Sequence, residues 1–383
     1  MNISLSSALK IAAVASVAAS LAGCGPDDGI AQLDSGKAAY AAQDLKKAVK
    51  LFEDSLKRAP GRIDTLVYLA RARLDLGEME AAQQAIAAAE AVAGAGDTDV
   101  KLLSAQIAWH LKDYAKASKL FGEVANAKDA TPLLQSQATT GLGIVHLTCD
   151  ERDLARIDFL RAIRLDRRNA AAWSHLGLLS RDAFGYLDAA LEQFNVYVRL
   201  DVAASPRVQK VQRTIIPGLV DSIRRAEADR PGASRRNSAA SAAALSKAEE
   251  AEKKGTWKTA AAKFKEALDL DALSVPAALG LARAIEKTDT SNAGRIRAFE
   301  CYRTVCQLSP GKTSAFLKAG KLAYDLGRFG EAAEIYSRAV AANPSNIDAI
   351  DGLIRSLQKS GGRQKAAAAY QKYRESIKPI KKQ

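Results

Sequence analysis

The sequence predicts an all-α protein of the α-solenoid class, built from antiparallel helix pairs stacked one after another. Three observations support this prediction. Apolar residues recur at the i, i+3, i+4, i+7 spacing of an amphipathic helix. The pattern repeats about every 34 residues from Gly29 onward. The composition, with 48% hydrophobic, 26% charged and 6% aromatic residues, suits many small helix faces. Stacked hairpins of this kind present an extended binding surface.

The clearest unit runs from Thr313 to Asn346. Its first apolar stripe ends at Gly327, and its second stripe ends before Pro344, so two short helices are expected. Gly320 falls where the two helices approach most closely, and Tyr336 supplies the bulk that fills the space beyond it. This pattern resembles the tetratricopeptide repeat (TPR), whose superhelix is the fold that the resemblance implies.

The resemblance covers most of the chain in two arrays. Residues 29–204 form an N-terminal array of about five repeats, and residues 241–380 form a C-terminal array of about four repeats with a basic tail. Successive repeats start at Gly29, Ile63, Thr98, Ser136, Ala170, Ser241, Val275, Thr313 and Ile347. The unit that starts at Val275 needs about four extra residues near 290–294. A longer turn between its two helices is therefore expected.

Residues 205–240 interrupt the repeat pattern. An apolar helical stripe follows Pro206, and both Pro206 and Pro217 suit the first turn of a short helix. The segment is either a degenerate tenth hairpin or one kinked helix followed by a flexible linker. Under both interpretations the domain boundary falls near residues 230–240.

The N-terminus has the features of an export signal. Lys10 precedes an apolar run over residues 11–22 that is short for a membrane span. The run ends in Leu21-Ala22-Gly23-Cys24, which resembles the lipobox of bacterial lipoproteins. Residues 1–23 are thus expected to be a lipoprotein signal peptide and residues 24–28 a tether. The alternative is an ordinary signal peptide followed by an unrelated cysteine.

The lipobox resemblance implies a location. Cleavage would leave Cys24 at the mature N-terminus, where acyl chains such as palmitate anchor the protein to a membrane. The next residue is Gly25 and not the aspartate that retains lipoproteins in the inner membrane of familiar diderm bacteria. The expected localisation is the cell envelope, at the outer membrane and facing the periplasm.

The TPR resemblance also implies a peptide-binding groove, because the first helix of each repeat lines the concave surface in that family. The corresponding places are Lys37, Tyr40, Arg71, Leu74, Gln106 and Trp109 in the N-terminal array and Arg283, Lys321, Tyr324 and Arg355 in the C-terminal array. A ladder of cations with aromatic surface suits an extended or helical peptide of acidic character. Alternatively, the cations keep the groove soluble and Trp109 packs against the neighbouring repeat.

The net charge of +13 is unevenly distributed, with basic residues concentrated in 207–236 and 353–383. Because an exported protein meets lipid phosphates and anionic glycans, nucleic acid is not the expected partner. The predicted function is a membrane-anchored TPR scaffold for protein–protein interactions in envelope assembly, for example of pilus secretins or outer-membrane proteins. The alternative is a binder of anionic envelope polymers, as in polysaccharide export.

The sequence predicts no enzyme. It has no phosphate-binding glycine loop after a strand and no nucleophile with a recognisable base, so neither a small-molecule substrate nor a cofactor is expected. His110, His146 and His175 lie in different repeats, and no metal site is expected. The remaining cysteines, Cys149, Cys301 and Cys306, are interpreted as packing residues. The alternatives are a disulfide between distant repeats and a redox-sensitive thiol.

Overall fold

The computed structural model describes residues 28–94, 96–200, 205–229, 238–309 and 311–377. Within these ranges the chain is helical and contains no β-strand, which confirms the predicted all-α fold. The chain divides into two compact units, Met1–His175 and Leu176–Gln383. The division falls inside one helix and not at residues 230–240. The two-array division made from the sequence stays a prediction.

The helices follow the predicted repeats. The pairs of the first unit are α1 (Ile30–Ala41) and α2 (Leu45–Arg58), α3 (Ile63–Leu76) and α4 (Met79–Ala93), α5 (Thr98–His110) and α6 (Tyr114–Asn126), and α7 (Pro132–Thr148) and α8 (Arg152–Leu165). The division between the units falls within α9 (Ala170–Asp182), whose partner is α10 (Leu187–Leu200).

The second unit continues with α11 (Pro206–Lys210), a π-helical turn (Val211–Ile215) and α12 (Ile216–Ala228). Its remaining pairs are α13 (Ser238–Lys253) and α14 (Trp257–Leu270), α15 (Val275–Thr288) and α16 (Asn292–Leu308), α17 (Thr313–Asp325) and α18 (Phe329–Ala342), and α19 (Ile347–Lys359) and α20 (Gln364–Ile377).

A glycine–aromatic contact joins the two helices of each well-matched repeat. Gly36 lies against Phe52 and Gly320 against Tyr336, so close that an added Cβ would come within 3.0 Å of the ring. Tyr336 also reaches the next repeat, since Gly352 meets the same ring. These aromatic side chains are buried, and the glycines allow the helix backbones to approach over them. The structure thus explains why small and bulky residues alternate at fixed spacing.

In most repeats the turn between the two helices contains a residue in the left-handed conformation. Gly77, with φ of 84°, ends α3, and Gly327, with φ of 75°, separates α17 from α18. Glycine adopts this conformation without a Cβ clash. In other repeats of the first unit Gln43, Lys112 and Asp150 adopt it instead.

The extra residues near 290–294 lengthen a helix and not a turn, so the expectation of a longer turn is wrong. Helix α16 has 17 residues, whereas α14 and α18 each have 14. The preceding turn is stabilised locally, because Ser291 caps α16 by accepting a hydrogen bond from the Gly294 amide at 3.1 Å. Gly294 also packs on the Asp289 carbonyl, where any side chain would clash. A good N-cap therefore starts the helix early.

Residues 206–228 follow one continuous helical path. The residues on both sides of the π-helical turn, Lys210 and Ile216, keep right-handed helical dihedrals. Pro217 lies two residues after the end of this turn. Its ring cannot accommodate the carbonyl four residues earlier, and it has no N–H to donate. A wider π turn is one way for a helix to absorb such a break. The geometry agrees with the single-helix interpretation of this segment.

The predicted signal peptide, Cys24 and most of the tether lie outside the described residues. Among the helices that are described, none combines the length and the apolar character needed to cross a bilayer.

The glycine–aromatic contact can be tested with a pair of substitutions in one unit. In Gly141→Ala the new Cβ would lie 2.4 Å from Cε1 of the fully buried Phe121, so we expect a loss of about 1–3 kcal/mol in the free energy of unfolding. Gly122→Ala, in the interior of α6, meets no atom within 4 Å and should gain up to about 1 kcal/mol. Urea unfolding followed by circular dichroism measures both. Equal effects of the two substitutions would contradict the packing argument.

Candidate peptide-binding surface

Within each unit, the first helices of successive repeats lie side by side. Helix α1 contacts α3, α3 contacts α5, and α5 contacts α7; in the second unit α13 contacts α15 and α17 contacts α19. The second helices of successive repeats make less extensive contacts with one another. We call the side formed by these first helices the first-helix surface. All the residues predicted from the sequence to line a groove lie on these helices.

In the first unit the first-helix surface is organised around Tyr68. The Lys37 ammonium lies 5.2 Å from the centre of the Tyr68 ring, and the Arg71 guanidinium lies 5.9 Å from it. Tyr40 approaches the same ring edge-on with a centroid distance of 6.2 Å. Each cation–π contact of this kind contributes about 0.5–1 kcal/mol when exposed. The structure therefore brings Lys37, Tyr40 and Arg71 together, as predicted, around an aromatic residue that the sequence reasoning missed.

Carboxylates accompany these cations. The Tyr40 hydroxyl donates a 2.7 Å hydrogen bond to Asp75, and burial together with this bond raises the pKa of Tyr40. The Arg71 guanidinium lies 3.7 Å from an Asp99 oxygen, with both side chains partly exposed. An exposed pair of this type contributes only about 0.2–1 kcal/mol. The cations of this surface are thus partly neutralised by groups that a partner can replace at low cost.

Trp109 and His110 continue the surface at the end of α5. The rings of these neighbours meet edge-on at 4.9 Å, and the Trp109 indole N–H points at the Thr148 hydroxyl of α7 at 3.4 Å. Trp109 is half-buried, so it combines packing against the next repeat with an accessible edge. Burial lowers the pKa of His110, and Asp75 acts in the opposite direction.

Two of the predicted groove residues are in the core. Leu74 is 6% exposed and Gln106 is 8% exposed. Their places on the helices are as expected, but their side chains are buried. They support the surface and offer a partner little area.

In the second unit, carboxylates also interrupt the predicted basic ladder. Arg283 forms a two-pronged ion pair with Glu252, with both N–O distances 2.8 Å, and this hydrogen bonding raises the pKa of Arg283. The Arg355 guanidinium lies 5.9 Å from the centre of the Tyr324 ring. Lys321 is exposed. Glu252 was missed because it belongs to the preceding repeat, 31 residues before its partner.

Comparison with known proteins agrees with the helix pairs. Two family models described as tetratricopeptide repeat match residues 39–95 and 8–63. Tetratricopeptide repeats are thus recognised within residues 8–95. A model described as bacterial transcriptional activator domain matches residues 238–379, over the last four repeats. No curated protein matches the chain.

Several solved structures are similar to this chain at low sequence identity. A thermophilic TPR protein of Thermus thermophilus is 20% identical, with 50% of this chain and 98% of that chain covered and a TM-score of 0.43. For pilF of Pseudomonas aeruginosa the identity is 15%, the coverages are 66% and 95%, and the TM-score is 0.40. For MamA protein the identity is 16%, the coverages are 49% and 96%, and the TM-score is 0.35.

The described residues hold no cluster of three or more histidine, cysteine or acidic side chains that could bind a metal ion. Cys149, Cys301 and Cys306 are free thiols, and burial raises the pKa of Cys301 to about 11 and that of Cys306 to about 12. These two thiols therefore stay protonated at neutral pH, which suits packing residues. TPR scaffolds are generally non-catalytic.

His110 should make the stability of the first unit depend on pH. Because its folded-state pKa is depressed, the unfolded chain binds the proton more readily, and stability is lost as pH falls below about 6.5. We expect the free energy of unfolding to drop between about pH 7.5 and about pH 5, and to drop less in His110→Gln. Urea unfolding at several pH values measures the difference between the two proteins in this drop. The contributions of the carboxylates, which both proteins share, cancel in that difference. An equal drop in both proteins would contradict the assignment.

Proposed function

We propose that this chain is a lipid-anchored TPR scaffold that recruits a protein partner of acidic character through its first-helix surface. The repeats themselves support a scaffold for protein–protein interactions. The group formed by Lys37, Tyr40, Tyr68 and Arg71, which we call the Tyr68 cluster, carries the more specific proposal, because it combines accessible aromatic area with two cations fixed on one ring. Aromatic and cationic anchors of this kind dominate many protein interfaces.

The arrangement around Arg71 favours a carboxylate-bearing partner. Asp99, the present partner of Arg71, is 55% exposed and is held by a single contact of 3.7 Å. A glutamate or aspartate of a bound segment would replace it and gain a second cation in Lys37. Because Trp109 lies on the same series of first helices, an extended or helical segment would contact both places.

Anchoring and location rest on the sequence. We assign Cys24 as the lipidated residue and place the protein in the cell envelope, at the outer membrane and facing the periplasm. Its role there would be in assembly, such as that of pilus secretins or outer-membrane proteins. One repeat model matches from residue 8, inside the predicted signal, so an experiment on Cys24 also decides between a repeat and a signal at this end.

A second candidate function is the binding of an anionic envelope polymer. The observation that favours it is the last repeat, where Lys365 and Lys372 of α20 are exposed and residues 353–383 are strongly basic. Polysaccharide or lipid phosphates would meet this face without any peptide recognition.

The anchor is tested by metabolic labelling with radioactive palmitate. We expect the wild type to incorporate label and Cys24→Ala to incorporate none, because the acyl chain needs the thiol of the mature N-terminus. Cys149→Ala, which removes an exposed cysteine elsewhere, is the matched control and should label like the wild type. Equal labelling of the Cys24 variant and the control would refute the anchor.

The binding surface is tested by crosslinked pulldown from native membranes. Lys37→Glu/Arg71→Glu should lose at least one partner that the wild type retains, because both cations of the Tyr68 cluster become like charges for an acidic segment. Lys46→Glu/Lys50→Glu makes the same change of charge on the exposed side of α2 and should retain that partner.

Loss of the same partner from both variants would show that net charge alone matters. The dependence of binding on salt concentration then distinguishes the two candidate functions. Polymer binding should weaken steeply as ionic strength rises, through counterion release, whereas binding at the Tyr68 cluster should keep an apolar component.

A further inference from the structure

The same three residue types recur at the same spacing on the first-helix surface of both units. In each case a tyrosine follows a lysine by three residues on one first helix, and an arginine follows the tyrosine by 31 residues on the first helix of the next repeat. The two sets are Lys37, Tyr40 and Arg71 in the first unit and Lys321, Tyr324 and Arg355 in the second. Equal places in a repeat have equal surroundings in a stacked array. The chain therefore carries two versions of one surface arrangement.

In the second unit this arrangement is centred on Tyr324 of α17. The Arg355 guanidinium, on α19, lies 5.9 Å from the centre of the Tyr324 ring. Phe329 meets the same ring edge-on, with a centroid distance of 5.1 Å. Tyr324 is half-buried, so part of its ring stays accessible. Because α17 and α19 contact each other directly, helix packing positions the tyrosine and the arginine together.

The cations of this arrangement are not neutralised by carboxylates. Within the described residues neither Lys321 nor Arg355 forms an ion pair, and both are exposed. Arg355 donates a 3.3 Å hydrogen bond from Nε to the backbone carbonyl of Asp351, whose carboxylate is engaged by Arg374 at 2.8 and 3.1 Å. Asp325, at the end of α17, is exposed and makes no ion pair with these cations. Both cations are therefore available to an incoming carboxylate.

The two versions differ in charge. In the first unit Asp75 accepts a hydrogen bond from Tyr40, and Asp99 lies beside Arg71. The place of Asp75, the thirteenth of its repeat, is taken in the last repeat by Lys359. Lys359 is exposed and has no carboxylate partner in the part of the chain that the structure describes. The second unit thus presents three exposed cations on the adjoining helices α17 and α19, where the first unit has cations with carboxylates beside them.

We call Lys321, Tyr324, Arg355 and Lys359 the Tyr324 cluster. We propose that the Tyr324 cluster binds an acidic peptide segment of a partner protein, as a second site alongside the Tyr68 cluster. Acidic side chains of the segment would meet the unpaired cations, and an apolar side chain would lie on the accessible part of the ring. This aromatic area favours a peptide over an anionic polymer, which is bound through charge alone.

The second site has a consequence for the kind of partner. A protein with two copies of the acidic segment would gain avidity by engaging both clusters. The acidic character of the partner rests on the proposed function, but the residues of the Tyr324 cluster are separate from those of the Tyr68 cluster. Each cluster can therefore be tested while the other is removed.

The test measures the fluorescence anisotropy of a fluorescein-labelled peptide, Gly-Glu-Glu-Phe-Glu-Glu-Gly, blocked at both ends, with the full-length chain. The background variant is Lys37→Glu/Arg71→Glu, which removes the Tyr68 cluster. We expect the further change Lys321→Gln/Arg355→Gln to weaken peptide binding by at least about threefold, as expected for the loss of two exposed charge contacts. Circular dichroism confirms that the variants are folded.

The matched control adds Lys258→Gln/Lys265→Gln to the same background. It makes the same change in charge at exposed positions of the second helix α14 and should bind like the background. Unchanged binding after Lys321→Gln/Arg355→Gln, or equal weakening in the control, would overturn the second site. Equal binding by the wild type and the background would count against the Tyr68 cluster and not against the Tyr324 cluster.

A labelled sulfated dextran, measured in the same way, tests the other class of partner. Because a polyanion contacts many cations of a chain of net charge +13, we expect the Lys321/Arg355 variant and the control to change its binding by equal factors. A loss of dextran binding specific to the Lys321/Arg355 variant would assign the Tyr324 cluster to anionic polymers and overturn the peptide proposal.

Discussion

The close contact between a glycine of a first helix and an aromatic ring of a second helix is the constraint on which the rest of this structure depends. Gly36 with Phe52 and Gly143 with Phe159 set the distance between the helices of one repeat. The contact of Gly352 with Tyr336 sets the distance to the next repeat in the same way. Alanine-rich helices have few bulky side chains, so a few buried aromatic rings largely determine how far apart neighbouring helices pack. The side chains on the opposite face of the first helices are left free to vary.

Because each first helix has one buried and one exposed face, the sequence predicts which residues lie on the binding surface. It does not predict which side chains those residues contact. The places of Lys37, Arg71 and Arg355 follow from the period, because a helix with a fixed buried face has a fixed exposed face. Their partners do not follow from it. Glu252 pairs with Arg283 across 31 residues, and Tyr324 meets Arg355 at the same separation. These contacts depend on how far one repeat rotates against the next, which the hydrophobic pattern does not specify. Tyr68 and Asp99 escaped notice for the same reason.

Other features could not be predicted from the 34-residue repeat pattern at all. The contact between Tyr186 and Ser337 joins residues 151 positions apart, and no repeat pattern implies it. The π-helical turn before Pro217 differs, because the sequence did indicate a break in the helix at this proline. The sequence did not indicate whether the chain would turn back after the break or continue as a helix. The helix pairs themselves were predictable because each apolar stripe fixes a length and most turns hold a residue of positive φ, although α7 begins at Pro132, before the predicted repeat start at Ser136.

The lengthened helix α16 has a consequence for how such arrays can diversify. Its added residues lie at the N-terminal end, before the rings of Phe299 and Tyr302 that anchor it, so the packing of α15 and α17 against it needs no compensating change. Lengthening one end of this helix therefore leaves its contacts with the two neighbouring helices unchanged. A second helix can thus gain surface at its N-terminal end while the rings that pack it keep their places.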